Sequence, residues 1–147
     1  MVIRFFSQSK THREFSNFAP FGIDLDGAWW ATVENYYQAQ KFTDADLRQS
    51  IGQADHPIIA KTLADVNKAA IRPDWEAIKD EVMYRALWRK FELHPALKAM
   101  LLATDEEDIA EANPAANYWG IGRDGTGFYK LGKIMSRIRA DLRAGAR

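Results

Sequence analysis

The stretch Phe21-Gly22-Ile23-Asp24-Leu25-Asp26-Gly27-Ala28-Trp29-Trp30-Ala31-Thr32-Val33-Glu34-Asn35-Tyr36-Tyr37-Gln38-Ala39-Gln40-Lys41-Phe42 changes its periodicity half-way along. Phe21 to Leu25 and Ala28 to Trp30 are strand-like runs separated by Asp26-Gly27. Asp-Gly in that position predicts a hairpin, because a tight primed turn needs positive φ. Thr32 then caps a helix predicted to run to about Phe42. At about 100° per residue, Glu34, Tyr37, Gln38 and Lys41 fall within about one third of its circumference, with Val33, Tyr36 and Phe42 on the other side. A carboxylate, a phenol, an amide and an amine thus share one face. Pattern alone favours a solvated face, with Glu34 a first-turn carboxylate suited to the helix dipole; the alternative is a cleft holding an acid and a nucleophile.

On the N-terminal side, Val2 to Phe6 reads as a strand and Ser7 to Ser16 as a polar loop. On the other side, Asp44 caps a helix to about Ile51, and Asp55 with Pro57 starts one to about Leu63. Pro73 opens the longest helix, from about Asp74 to Leu93, with Ile78, Val82, Leu87 and Phe91 as its apolar stripe. His94-Pro95 breaks it. A short helix, Ala96 to Ala103, a short strand, Ile109 to Ala112, a loop rich in Gly, Asn and Pro, Asn113 to Gly127, and a closing helix, Leu131 to Leu142, follow. The expected fold is α+β and mainly α: a multihelical single domain over 1–147 with a small β-sheet and hairpin.

The 147 residues suit one domain, and a 47% hydrophobic content supports a core. Lys plus Arg and Asp plus Glu both number 20, so no global charge argues for a nucleic-acid or membrane partner. The Arg-rich end (Arg137, Arg139, Arg143, Arg147) reads as a solvated last helical turn. The absence of cysteine excludes disulfides, thiolate catalysis and Cys-ligated zinc. The three histidines, His12, His56 and His94, form no ligand pair; His56 and His94 precede prolines at helix starts. Only a carboxylate-only Mg²⁺ site stays open, and neither a metal nor a cofactor is expected. Met1 to Phe6 is too short for a signal peptide and no apolar run spans a membrane, so a cytoplasmic location is the default expectation.

Beyond the first helix, Trp29, Trp30, Tyr36, Tyr37, Trp75 and Trp119 are either core or rings for stacking on a base. The loop Tyr118 to Gly127 is glycine-rich: a tight turn, or a phosphate cradle without P-loop or dinucleotide pattern. Glu111 is a second candidate carboxylate. The run Asp105-Glu106-Glu107-Asp108 reads as a solvated helix start.

Phe15-Ser16-Asn17-Phe18, the Asp26-Gly27 hairpin, Glu34 to Phe42, Arg72-Pro73-Asp74-Trp75, Val82-Met83, Lys90-Phe91, Tyr118-Trp119-Gly120 and Leu131-Gly132, in this order, resemble the YbiA-like or NADAR family over nearly the whole chain. The resemblance implies an N-glycosidase acting on ribose C1 attached to an exocyclic amine. The expected substrates are early ribosylaminopyrimidine phosphates of riboflavin synthesis. The alternatives are an ADP-ribosyl hydrolase acting on guanine, which alone would bring in nucleic acid, and a non-catalytic ADP-ribose- or nucleotide-binding module. Glu34 takes the place of the family's glutamate and Lys41 that of the lysine closing its central motif. Asn17, Tyr37, Gln38, Asp74, Trp75, Glu111, Trp119 and Gly120 are the expected substrate contacts. Two positions depart from the family pattern: Asn35 stands where His is usual, and Tyr129 where Asn is usual. Two routes suit such a substrate. In one, Lys41 exchanges onto C1 as a Schiff base while Glu34 moves protons. In the other, an oxocarbenium-like displacement uses Glu34, with Glu111 as the second carboxylate.

Overall fold

The computed structural model describes residues 2–145. In chain order its elements are β1 (Val2–Phe5), β2 (Ile23–Leu25), β3 (Ala28–Trp30), α1 (Val33–Ala39), α2 (Ala45–Gly52), α3 (Pro57–Val66), α4 (Trp75–Leu93), α5 (Pro95–Leu102), β4 (Asp108–Glu111) and α6 (Lys130–Arg143). This is the expected mainly helical α+β fold. Its strands form two separate two-stranded pairs. Two compact units divide the chain: one from Asn17 to Leu93, the other from the residues up to Ser16 together with those from His94 on. Among the described residues no helix is long and apolar enough to cross a membrane.

In the Asn17–Leu93 unit, β2 and β3 form the expected antiparallel hairpin, Ile23 opposite Trp30 and Leu25 opposite Ala28. Asp26 and Gly27 both have positive φ, as the primed turn requires. Tyr36 of α1 donates to the Asp26 carboxylate at 2.7 Å, and Arg85 of α4 reaches it at 2.8 Å. Burial opposes ionisation of Asp26, but the hydrogen bonds from Arg85 and Tyr36 prevail and hold its pKa below the usual value. The turn residue is thereby tied to both helices. α4 begins after Pro73 as expected. Leu87 and Phe91 are buried, but Ile78 and Val82 are only half-buried. The buried surface runs instead through Trp75, Met83, Tyr84, Leu87, Trp88 and Phe91. A helix pressed on from more than one side buries a band wider than one stripe.

In the other unit, β1 and β4 pair in parallel, Val2 with Asp108 through Phe5 with Glu111. Ser7 to Ser16 is not wholly a polar loop: Arg13–Phe15 is one 3₁₀ turn, and Phe15 is fully buried with its ring edge-on to Phe5, centroids 5.9 Å apart. The acidic run is a turn into β4 rather than a helix start; Asp105 has positive φ and Asp108 opens the strand. The arginine-rich end is likewise not simply a solvated face. Arg139 is buried, donating to the Thr104 hydroxyl at 2.8 Å and the Glu107 carbonyl at 2.9 Å. Arg143 bonds the Leu102 and Asp105 carbonyls and pairs with Glu106. Carbonyls between the last residue of α5 and the start of β4 draw these guanidinium groups in. Arg137 is exposed, as expected of a solvated turn, and Arg147 lies outside the described residues.

α6 lies directly on β4. A Cβ at Gly132 would sit 1.6 Å from the Ile109 carbonyl oxygen, an overlap with backbone that no rotamer relieves. Replacing a helix-interior glycine by alanine ordinarily gains about 1 kcal/mol. Here overpacking against a strand, at about 1–3 kcal/mol or more, outweighs that gain. Gly132→Ala is expected to lower the urea midpoint; an unchanged or raised midpoint would show that α6 and β4 do not meet at this glycine.

Candidate active site

Every residue of α1, Val33 to Ala39, is buried, so the polar face is not solvated. Burial of so many polar groups requires partners for each. At the helix start, Thr32 Oγ1 accepts the Asn35 amide at 3.1 Å, the cap read from the sequence, and donates to Asn35 Oδ1 at 2.6 Å. Asn35 Nδ2 donates to the Ile51 and Ala54 carbonyls, both at 3.2 Å. The fully buried Asn35 side chain is therefore committed to the end of α2. At the other end, α1 stops at Ala39 rather than Phe42. Lys41 and Phe42 donate to the carbonyls three residues back, and Arg48 of α2 bonds the Ala39 and Phe42 carbonyls at 3.3 and 3.0 Å and Gln40 Oε1 at 3.1 Å. α2 thus clamps both ends of α1. Lys41 is fixed just beyond the helix, its carbonyl accepting the Arg72 amide at 2.8 Å.

Between these clamps sits Glu34, 7% exposed. Gln38 Nε2 donates to its carboxylate at 2.8 Å, and its backbone N–H donates to the Asn17 carbonyl at 3.1 Å. Burial raises the Glu34 pKa; the Gln38 bond and the charge of Lys41 offset this only in part. Lys41 is half-buried, and burial lowers its pKa although Glu34 and Asp65 favour its cation. Lys41 Nζ stands 5.5 Å from the Tyr37 ring centroid, and the buried Trp75 meets that ring at 5.1 Å and 61°. Lys61 of α3, itself paired with Asp65 at 3.2 Å, acts electrostatically on both Glu34 and Lys41.

Six of the expected residues therefore share one region of the Asn17–Leu93 unit: Asn17, Glu34, Tyr37, Gln38, Lys41 and Trp75. Asp74 is exposed and engaged by Arg72 at 2.6 and 3.0 Å. Glu111, Trp119 and Gly120 belong to the other unit. Glu111 ends β4 and its carbonyl accepts the Ile121 amide at 3.0 Å. Trp119 is half-buried, edge-on to Tyr118 at 4.9 Å. Gly120 is buried, and a Cβ there would come 2.9 Å from the Glu111 carbonyl. The glycine loop is a turn closed largely on its own backbone. The amides of Gly120, Ile121, Gly125, Gly127, Phe128, Tyr129, Lys130 and Leu131 all bond carbonyls of the same unit. A cleft of about 590 Å³ on this loop, lined by Asn117, Arg123, Asp124, Thr126 and Phe128 among others, contains none of the expected site residues. Tyr129 occupies the left-handed region, φ 56°, where asparagine is the better-suited residue, and its hydroxyl donates to the Gly125 carbonyl at 2.6 Å.

One residue of interest escaped the sequence reading as a site. Lys90 on α4 is 0% exposed, with Nζ 6.0 Å from the Phe21 ring centroid. Its spacing from Met83 and Leu87 places it on the buried band, a signal its charge conceals.

The NADAR domain profile matches residues 4–143. The chain belongs to the NADAR domain family. It is 39% identical over 141 residues to N-glycosidase YbiA of Escherichia coli (strain K12), covering 96% of this chain and 88% of that protein. It is 35% identical to the chloroplastic riboflavin biosynthesis protein PYRR of Zea mays, covering 96% of this chain and 25% of that one. Its structure superimposes on the NMR structure of E. coli YbiA with a TM-score of 0.91 at 38% identity, over 99% of this chain and 86% of the other. The two positions where the sequence departs from the pattern expected of the family have distinct settings: Asn35 faces α2, and Tyr129 starts α6.

A buried carboxyl whose pKa is raised costs stability once it ionises. Below the ordinary carboxylate range Glu34 is neutral whether the chain is folded or not. As pH rises through that range towards its folded value, the native state loses stability. Glu34→Gln removes this cost, so its Tm should exceed wild type's by a few °C at about pH 8 and converge with it near pH 4, where about 1 kcal/mol corresponds to roughly 2–4 °C. Equal Tm values across a scanning-calorimetry pH series would contradict the burial of an ionisable Glu34.

Proposed function

We propose that this chain is an N-glycosidase hydrolysing the bond between ribose C1 and an exocyclic amine, with early ribosylaminopyrimidine phosphates of the riboflavin pathway as substrates. The names of the E. coli and maize relatives support this reaction class and pathway. The observation that carries the assignment of roles is the opposite displacement of two groups on one short segment: the Glu34 pKa moves up and the Lys41 pKa down, both towards neutrality. Acid–base pairs tuned in this way are what proton transfer near neutral pH requires.

In this proposal the ribosylamine ring opens to an imine at C1. The neutral Lys41 amine adds to C1, and the pyrimidine amine leaves with a proton that Glu34 delivers. C1 is then held as an imine to Lys41. Glu34, now a carboxylate, takes a proton from water as the water adds to C1. Expulsion of Lys41 frees the sugar aldehyde and restores both groups. Asn17, Tyr37, Gln38 and Trp75 bind and orient the substrate around this pair. Lowered basicity keeps more of the Lys41 amine neutral at working pH, and lowered acidity keeps more of Glu34 protonated.

Wild type should release the base from ribosylaminouracil phosphate, and Glu34→Gln should turn over about 10²–10⁴-fold more slowly. Borohydride added during turnover should leave a sugar adduct on Lys41, located by peptide mass spectrometry, and none in Lys41→Arg. Full turnover with no adduct would instead support direct displacement assisted by Glu34. Turnover of ADP-ribosylated DNA but not of the ribosylaminopyrimidine would overturn the substrate assignment.

A further inference from the structure

Two carboxamides flank Glu34 with open valences. Gln38 spends its Nε2 on the Glu34 carboxylate, yet its Oε1 is buried with no hydrogen-bond partner among the described residues. Asn17 accepts the Glu34 amide with its backbone carbonyl and donates its Nδ2 to Met83 Sδ at 3.5 Å, while its Oδ1 is also buried and has no partner among the described residues. Gln38 and Asn17 are 4% and 7% exposed. A buried acceptor without a donor costs about as much as a lost hydrogen bond, and such groups are rare in native structures. Gln38 turns its amide nitrogen to Glu34 and its oxygen away, the orientation that an ionised Glu34, which only accepts, requires.

Both open atoms are acceptors. The part of a ligand that meets them carries O–H or N–H donors, and an anionic phosphate oxygen does not suit the position. The sugar carbon that reacts beside Glu34 is C1; once the ring has opened, the exocyclic nitrogen is an imine without N–H, and the hydroxyl on the carbon next to C1 is the donor nearest to the scissile bond. We infer that Gln38 Oε1 accepts the ribose 2′-hydroxyl and so selects ribosyl over 2′-deoxyribosyl substrates, an inference that rests on the N-glycosidase reading above. The same side chain thereby ties the position of the sugar to the carboxyl that serves it. Asn17 Oδ1 offers a second acceptor to a donor of the same ligand.

The test compares kcat/KM for ribosylaminouracil phosphate and its 2′-deoxyribosyl counterpart, in wild type and in Gln38→Met, with circular dichroism to confirm that the variant folds. The ratio of the two substrates within each protein, compared between proteins, cancels their intrinsic difference in reactivity and any loss common to both from disturbing Glu34. Leaving a buried acceptor unpaired predicts that this ratio, ribosyl over deoxyribosyl, falls about 10- to 100-fold in Gln38→Met. A variant that slows both substrates equally would overturn the inference and reduce Gln38 to a support for Glu34. If Gln38→Met does not fold, wild type decides: its own ratio, corrected by the uncatalysed rates, should exceed tenfold, and a value near one overturns the inference. Wild type that cleaves neither substrate would overturn the N-glycosidase reading itself, an outcome distinct from cleavage without discrimination.

Discussion

A helix of seven residues buried on every side cannot leave its terminal amides and carbonyls to water. That constraint organises the Asn17–Leu93 unit. Thr32 and Asn35 close the start of α1 onto α2, and Arg48 of α2 closes its end. The turn that follows presents Lys41, whose carbonyl is held by Arg72. The hairpin contributes from the other direction, through Asp26, which Tyr36 and Arg85 tie to α1 and α4. Each of these bonds is structural, yet together they fix a carboxyl and an amine at opposite ends of one short segment.

Chemistry follows from the same burial. Water is kept from Glu34, so its charge is disfavoured, and Lys41 is only partly spared the same penalty. The two groups attract one another when charged, but desolvation outweighs that attraction for both. A protein selected for stability alone would place Gln at position 34. In the proposed mechanism the retained carboxyl is a group whose proton is used, in keeping with pKa values displaced towards neutrality at working sites.

The local features were legible in the sequence. Asp26-Gly27 specified the hairpin, Thr32 and Asp44 specified two helix starts through bonds to the residue three positions on, and Pro57 and Pro95 marked two more. Features set by distant partners were not. The end of α1 depends on Arg48 and the burial of Arg139 on Thr104 and Glu107 in the turn before β4, neither of which has a local pattern. The polar face of α1 read as solvated because periodicity separates apolar from polar and cannot foresee a polar face packed into protein. Family resemblance, rather than spacing, singled out Glu34 and Lys41. Asn35, the departure from that resemblance, proves to be a clamp between α1 and α2.

The central claim is that burial on this clamped segment holds Glu34 above, and Lys41 below, the ordinary range of its kind. Heteronuclear NMR titration of the Glu34 side-chain carboxyl and the Lys41 ε-position in the unliganded protein, assigned with Glu34→Gln and Lys41→Arg, measures both directly. The account predicts a Glu34 midpoint above the roughly 4.3 of an exposed glutamate and a Lys41 midpoint below the roughly 10.4 of an exposed lysine. Each midpoint should also move when the other residue is replaced. Two ordinary midpoints that ignore one another would contradict it.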